Sequence, residues 1–543
     1  MQEVTLEHFK RAAVDIGAHG DNDTLPFDVD NRFINENLDA LSTLAYEYFY
    51  ELDKEPPKTV VKAINALQIF SERLLVPTGS AGFRISTKLH PFWNLYINGI
   101  GVAIAQQHEG SRSDRAHSYR YTREGSGLFD RGRSWRAYRE ATLSDEYLKD
   151  DSAIVVQTDI SSFYEHIYHH RLVSCIEDLF PKTSTVGVQI DRFLSKFASG
   201  RSFGLPVGGQ CARILAEVMM SPIDRMLSDS GISWHRYVDD FTIMTRSQED
   251  AYGALAVLSN ALADYGLSLN RTKTITLRGT HYSNYVRTQL GNTGDEGSIL
   301  REIDLHFDPY SDTAEADYAD LKTTVQRLDV RGLLQLELAK GQADTFLVAQ
   351  IGRTLKYQSS VVALQVCATL LDAKNLNAFR GSWSTIMRGI AAVRGETQNQ
   401  AIFNELDELL DKIPHHSPNL LLPETNCVHF LKTIRFRRTE SRAQYVLAVY
   451  NGSASQTVKR ACIECWRHWG DRHNFIRLRN QWQNLGREEQ RMLWLAAGEF
   501  ADEGKKARDQ LRLSLAQAWS LGIEHQGKAT FETLYTKWSE VAV

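Results

Sequence analysis

The 543-residue chain has only six cysteines, spread without a paired framework, so no disulfide scaffold is encoded. One Cys462-x-x-Cys465 pair is present, but without a second such pair it is better read as two core thiols on one helix face than as a zinc site. No uninterrupted apolar run approaches the roughly 20 residues of a membrane span. The start, Met1-Gln2-Glu3-Val4-Thr5-Leu6-Glu7, carries neither a basic nor an apolar leader segment. A cytoplasmic protein with no membrane partner is expected. Positive charge is not in excess: 62 Lys and Arg against 67 Asp and Glu leave a net charge of −5, so any polyanion must be met by a local patch. The glycine-rich run from Gly204 to Gln210 lacks the Gly-Lys-Ser/Thr ending of a phosphate-binding loop.

What is present is organised around Arg236-Tyr237-Val238-Asp239-Asp240-Phe241. Two adjacent acids between apolar, β-prone residues predict a hairpin with carboxylates at its tip. An exposed Asp-Asp turn without function explains them too; a buried pair calls for a cation, commonly a metal. Residues 153–159 read as a buried strand that ends on Asp159, and Ser162-x-x-Glu165 as a capping box that starts a helix at Phe163 running through Ile167 and Leu172. The 204–210 loop precedes a helical pattern interrupted near Pro222, and residues 251–265 form an amphipathic helix leading to Lys273. The outcome is an α+β unit with helices on one face of a small antiparallel sheet.

Either side of this unit the chain is helical. Residues 1–75 form a helical N-terminal extension broken at Glu55-Pro56-Pro57, and from 331 to 543 apolar segments recur between polar turns that include Gly352, Gly389 and Gly395. Arg112, Arg115, Arg120, Arg123, Arg131, Arg133, Arg136 and Arg139 share a lysine-free stretch with Tyr119, Tyr121, Trp135 and Tyr138. That mixture suits a nucleotide or polynucleotide surface. Internal pairing with Asp114, Glu124, Asp130 and Glu140 accounts for it equally well.

Hard oxygen ligands at two strand ends suit Mg²⁺. Two such ions clamp an in-line phosphoryl displacement, so phosphoryl or nucleotidyl transfer is the reaction class, with Asp159 and Asp239 as ligands, Asp240 supporting, and Lys273 and arginines of 112–123 toward phosphate.

Residues 156–164, 204–210, Tyr237-Val238-Asp239-Asp240 and 266–274 resemble, in order, the four palm motifs of reverse transcriptases. The resemblance implies right-hand fingers and palm over 76–275, with two Mg²⁺ ions, or Mn²⁺ in their place, on Asp159, Asp239 and Asp240. It implies Phe163 and Tyr164 at the substrate, Tyr164 as the gate against a ribose 2′-hydroxyl, Gln210 on the template side, and Lys273 beside the leaving pyrophosphate. The stretches around Lys88, Arg115 and Arg120 resemble the fingers of bacterial antiphage reverse transcriptases, which makes those three residues dNTP contacts. Residues 276–330 would be thumb-like or connecting, and 331–543 an all-α, HEAT-like repeat domain. That branch implies phage defence by DNA synthesis from dNTPs, on a noncoding RNA template or untemplated, primed by a 3′-hydroxyl or a protein hydroxyl, in a homo-oligomer. The alternatives are a group II intron or retron reverse transcriptase and a catalytically silent RNA-binding scaffold.

Overall fold

The computed structural model describes residues 4–541 except 21, 23, 27, 80–81, 126, 131, 151, 291–299, 301–320, 341–342 and 523–528. Helices α1 (Leu6–His19), α2 (Asp28–Glu36), α3 (Leu38–Asp53) and α4 (Pro57–Ala66) open the chain. The break before α4 falls where the two prolines predict it, with Pro57 at the first helical position, where its missing N–H costs nothing. Where the sequence reads as irregular, the structure has a hairpin, β1 (Ser71–Thr78) and β2 (Gly82–Leu89), and a long helix, α5 (Pro91–Glu109). Trp93, Leu95, Tyr96, Ile97 and Ile100 bury α5 on every side, so it carries no amphipathic stripe to betray it.

After α6 (Trp135–Leu143) come β3 (Ile154–Asp159), α7 (Phe163–His166), α8 (His169–Glu177), α9 (Val186–Phe197) and α10 (Gln210–Asp229). Then follow β4 (Ser233–Tyr237), β5 (Asp240–Thr245), α11 (Gln248–Asp264), β6 (Ile275–Arg278) and α12 (Gly279–Gln289). The strands make one antiparallel sheet in the order β4-β5-β3-β6. Its two faces are both covered, which corrects the one-sided arrangement expected. Val156 and Ile243 face the main core with α10 and α11, whereas Val155 and Met244 face Tyr282 and Val286 of α12.

Two local expectations fail for tertiary reasons. The capping box at Ser162 does not form; Ser162 takes φ 46 and α7 stops after four residues. The Ile167 carbonyl instead accepts the Gly204 N–H at 2.9 Å, and Tyr168 bridges to Phe203, so pairing with the glycine loop displaces a continuous helix. Pro222 does not interrupt α10, which runs through it with Leu215, Met219, Ile223 and Leu227 buried; packing outweighs the roughly 3 kcal/mol that an interior proline costs.

The last third is helical. Thr345–Thr354, Trp383–Gly395, Glu424–Ile434, Gln456–His468 and Arg487–Ala496 each pack on the next, forming a stacked row. Gly352 and Gly389 are not turn residues: they lie inside the first two of these helices, and a Cβ on Gly389 would meet the Gly352 carbonyl oxygen at 2.1 Å. None of the described helices is long and apolar enough to cross a membrane. Of the 276–330 segment, α12 and the residues from 321 are described; a thumb-like element at 291–299 or 301–320 lies outside the described residues.

The row docks on the β1–β2 hairpin and the N-terminal helices. Glu72 of β1 accepts the Gln456 and Thr457 N–H groups at 3.0 and 2.9 Å. Beneath it, Asp30 of α2 is ringed by Lys88 of β2 at 3.0 Å, Arg460 at 2.7 Å and Arg491 at 3.4 Å, with Glu488 bonded to Arg460 at 2.9 Å. All five side chains are buried. Their cations hold Asp30 well below the usual carboxylate range against the opposing effect of burial.

Candidate active site

The three acids predicted as ligands meet at one end of the sheet. Asp159 ends β3, and its register partner is Asp240 at the start of β5. Asp240 also pairs with Tyr237, which leaves Val238 and Asp239 as a two-residue tip. Val238 adopts φ 59 there, a conformation that costs a β-branched residue about 1–3 kcal/mol. Two bonds hold it: the Val238 N–H donates to Ser118 Oγ at 2.8 Å, and Arg236 donates to the Val238 carbonyl at 2.7 Å. Arg236 is fully buried, fixed between Glu217 and Asp224 at 3.0 and 2.7 Å.

The site carries more negative charge than it satisfies. Burial, with Asp159 and Asp240 alongside, pushes the Asp239 carboxyl up to about 7, and burial and Asp159 raise Asp240. Lys273 offsets part of this by pairing with Asp159 Oδ2; its loop is pinned where the Asn270 N–H donates to the Asp159 carbonyl at 2.7 Å. Asp159 Oδ1 stays buried without a hydrogen-bond partner. Hard, under-compensated oxygens of this kind fit a hard divalent cation rather than zinc. Among the described residues no three His, Cys, Asp or Glu close into a ready metal cage. An open set of carboxylates suits an ion whose shell substrate phosphates and water complete.

Tyr164 lies near this cluster, its phenol pushed well up by burial, with Tyr119, Glu217 and Asp239 in electrostatic reach. Its carbonyl accepts the Leu205 N–H at 2.9 Å, which ties the residue to the glycine loop. Gln210 is the first residue of α10 and accepts from Arg213 at 2.7 Å.

Residues 111–291 match the family model for reverse transcriptase (RNA-dependent DNA polymerase). This segment is a reverse-transcriptase domain. The enzyme class read from the sequence, an RNA-directed DNA polymerase, is the class of that domain, and all three acids, Tyr164, Gln210 and Lys273 fall within it. No curated protein matches the chain. Among solved structures it is similar to telomerase from Candida albicans in complex with a TWJ fragment of telomeric RNA, at 12% identity and a TM-score of 0.29, over 64% of this chain and 65% of that one. It is also similar to apo telomerase from Candida tropicalis, at 13% identity and a TM-score of 0.30, over 65% and 66%. The chain thus covers just under two thirds of the length of either telomerase.

Four other predicted contacts are placed elsewhere around the reverse-transcriptase domain or turned inward. Lys88 is buried against Asp30, at 3.0 Å. Arg120 pairs with Glu109 and donates to the Ser113 carbonyl at 2.9 Å, bracing its own loop. Arg115 donates to Ser233 Oγ at 2.9 Å and to the Trp234 carbonyl at 3.1 Å, along β4. Phe163 is a core side chain whose ring abuts Tyr164, at 5.4 Å between centroids. Part of the arginine stretch follows its second reading, Arg133 pairing with Asp114 at 3.3 Å and Arg136 with Glu140 at 2.9 Å, whereas Arg112 pairs outside the stretch, with Glu217 of α10 at 2.6 Å. Cys462 and Cys465 are buried free thiols. The residues missed from sequence are Ser118, Glu217 and Asp224, which fix the hairpin tip through Val238 and Arg236. The visible signal is Arg236 itself, a charge inside an apolar strand that demands buried partners.

Proposed function

We propose that the chain is a metal-dependent DNA polymerase. It joins deoxynucleotides to a 3′-hydroxyl or a protein hydroxyl, on a noncoding RNA template or without one, as a cytoplasmic homo-oligomer acting in phage defence. The observation that carries the polymerase reading is the meeting of Asp159 with Asp239 and Asp240, mutually repelling and with Asp159 Oδ1 unpartnered. The defence setting rests on the resemblance of the fingers stretch and the helical third.

These three acids would hold Mg²⁺, or Mn²⁺, which when bound lowers the pKa of an attacking hydroxyl and offsets triphosphate charge. The chain's own groups select and position. Tyr164 excludes a 2′-hydroxyl by bulk, and its raised pKa keeps the phenol protonated. Gln210 opens α10 on the template side. Lys273, 65% exposed, is free to swing its ammonium from Asp159 toward leaving pyrophosphate. Labelled dNTP incorporation by the purified protein with Mg²⁺ tests this. Incorporation should vanish in Asp239→Ala and Asp240→Ala proteins; wild-type levels in either would refute the site.

A further inference from the structure

On the side of β4 away from β5, Arg115, Ala116 and His117 lie along the strand as a short parallel edge. The Arg236 N–H donates to the Arg115 carbonyl and the His117 N–H to the Arg236 carbonyl, both at 2.9 Å. Side chains alternate across such an edge. Ala116 packs into the main core, while His117 faces the other way, where its Nε2 meets Nδ1 of His235 at 3.1 Å. Ser118 turns back, its hydroxyl accepting the Val238 N–H and donating to Glu217 at 2.5 Å. Tyr119, one residue on, takes φ 48, with Arg112 holding the Ser118 and Tyr119 carbonyls at 2.6 and 2.8 Å. Two left-handed backbones, at Tyr119 and Val238, thus stand either side of one hydroxyl, a concentration of strain that marks a place where the chain is held to an exact position.

The bond between the two rings is one link of a longer chain. Nε2 of His235 lies 3.3 Å from Asp145 Oδ2, which also accepts from Ser233 at 2.8 Å, and the Tyr147 N–H donates to Asp145 Oδ1 at 3.0 Å. Against burial, these bonds hold the Asp145 carboxyl below its usual range, so it can only accept. The proton order follows. His235 donates from Nε2 to the carboxylate, its Nδ1 accepts from His117 Nε2, and Nδ1 of His117 is left bare. That last atom is buried without a hydrogen-bond partner, so a proton on it would have no acceptor. Burial, His235 and the guanidiniums of Arg133, Arg120 and Arg236 push the His117 ring down to about 4, which keeps it neutral. The reverse order would set a bare His235 Nε2 against the carboxylate and strand a proton on His117 Nδ1.

We propose that His117 and His235 are positioning residues of the polymerase site: their one-way hydrogen bond, anchored on Asp145, sets the 115–118 edge along β4 and, through Ser118, the turn that presents Asp239. The inference rests on the polymerase reading in taking Asp239 as a metal ligand. Two apolar rings would fill the same space. The imidazoles add a bond of fixed length and direction, which stops the edge from sliding along the strand.

The test uses two amides that each copy one imidazole nitrogen: Gln at position 117 keeps a donor near Nε2, whereas Asn reaches only as far as Nδ1. Mn²⁺, in place of Mg²⁺, is titrated into the full-length protein without nucleotides, and its free fraction is read by electron paramagnetic resonance with Asp239→Ala as the reference for the site. His117→Asn should weaken the Asp239-dependent Mn²⁺ affinity about tenfold, the low end for groups that orient ligands from behind, and His117→Gln by less than about twofold. Equal affinities in the two variants, both as in wild type or both weakened, would overturn the inference, because packing alone does not tell one nitrogen from the other. Nitrogen-15 spectra of histidine-labelled wild type, with the His117 signals identified by their loss in His117→Gln, should show the proton on Nε2 of both rings. A proton on His117 Nδ1 would overturn the inference even if the asparagine variant fails to fold. Mn²⁺ binding indifferent to Asp239→Ala would refute the polymerase reading and this inference with it. Binding lost in Asp239→Ala but unmoved by His117→Asn overturns this inference alone and leaves that reading standing.

Discussion

The Arg236 guanidinium and the Val238 carbonyl, two residues apart, meet at 2.7 Å across the turn that presents Asp239. The same guanidinium pairs with Glu217 and Asp224, so the charge that stabilises the interior also enforces the left-handed backbone at the tip. Arg236→Met should therefore cost about 3–5 kcal/mol, the loss typical of breaking one side of a buried pair. Arg236→Lys should cost less, because it keeps the charge and loses the fork. Urea unfolding reads both, and an unshifted midpoint for the methionine variant would contradict the clamp.

Asp239 makes the metal-free protein sensitive to pH in a defined direction. Its carboxyl holds a proton up to about 7 when folded and only to about 4 when unfolded. The native state then binds more protons between those values, so the contribution of Asp239 to stability is greatest below about 4, falls as pH rises, and levels off above about 7. Three units set an upper bound of about 4 kcal/mol, shared with the neighbouring acids. In EDTA, Asp239→Asn should flatten the profile of melting temperature between pH 5 and 8 and melt higher at pH 8. A profile parallel to wild type would show that Asp239 ionises normally.

Tyr164 offers a selectivity test. Replacing it by Val should raise ribonucleotide use relative to deoxynucleotide use by roughly tenfold or more, since the discrimination is steric. Val is preferable to Ala because it empties less of this half-buried aromatic site. Competition between labelled dNTP and rNTP at fixed ratio gives the answer, and an unmoved ratio removes Tyr164 from the gate.

The ion cluster around Asp30 predicts a long-range effect. Arg460→Met leaves Glu488 short of a cation and Asp30 with two of its three, which should cost about 3 kcal/mol or more. Because Lys88 of β2 shares Asp30, the damage should extend to the hairpin. Limited proteolysis is the measurement: cleavage near the β1–β2 turn should accelerate in the variant, and an unchanged rate would separate the helical row from the hairpin.

The acids were legible in sequence because each ends or begins a β-rich apolar run, so strand periodicity alone brings Asp159, Asp239 and Asp240 to one edge. Helix α5 was not, because a helix buried on all sides shows no stripe. The break at Ile167 was hidden for a different reason: the local capping signal is outbid by bonds to residues 203–204, which no window around Ser162 contains. The setting of Lys88 was hidden because its partner Asp30 and the Arg460 that shares it lie far off in sequence. Glu217 and Asp224 are signalled only indirectly, by the charge of Arg236 inside an apolar strand, since a helix-to-strand ion pair has no period.

That cluster bears on the order in which the protein can be made. Asp30 and Arg460 are 430 residues apart, and synthesis at about 5–20 residues per second separates them by roughly 20 to 90 seconds. Throughout that interval the nascent chain has its hairpin strand joined to Asp30 by Lys88 alone, with Glu72 still lacking the Gln456 and Thr457 amides. The support of the β1–β2 hairpin by the helical row forms only once Gln456–His468 and Arg487–Ala496 have left the ribosome, so a prematurely terminated chain would carry all three acids with the hairpin held by Lys88, Asn22 and Val207 and without its C-terminal support.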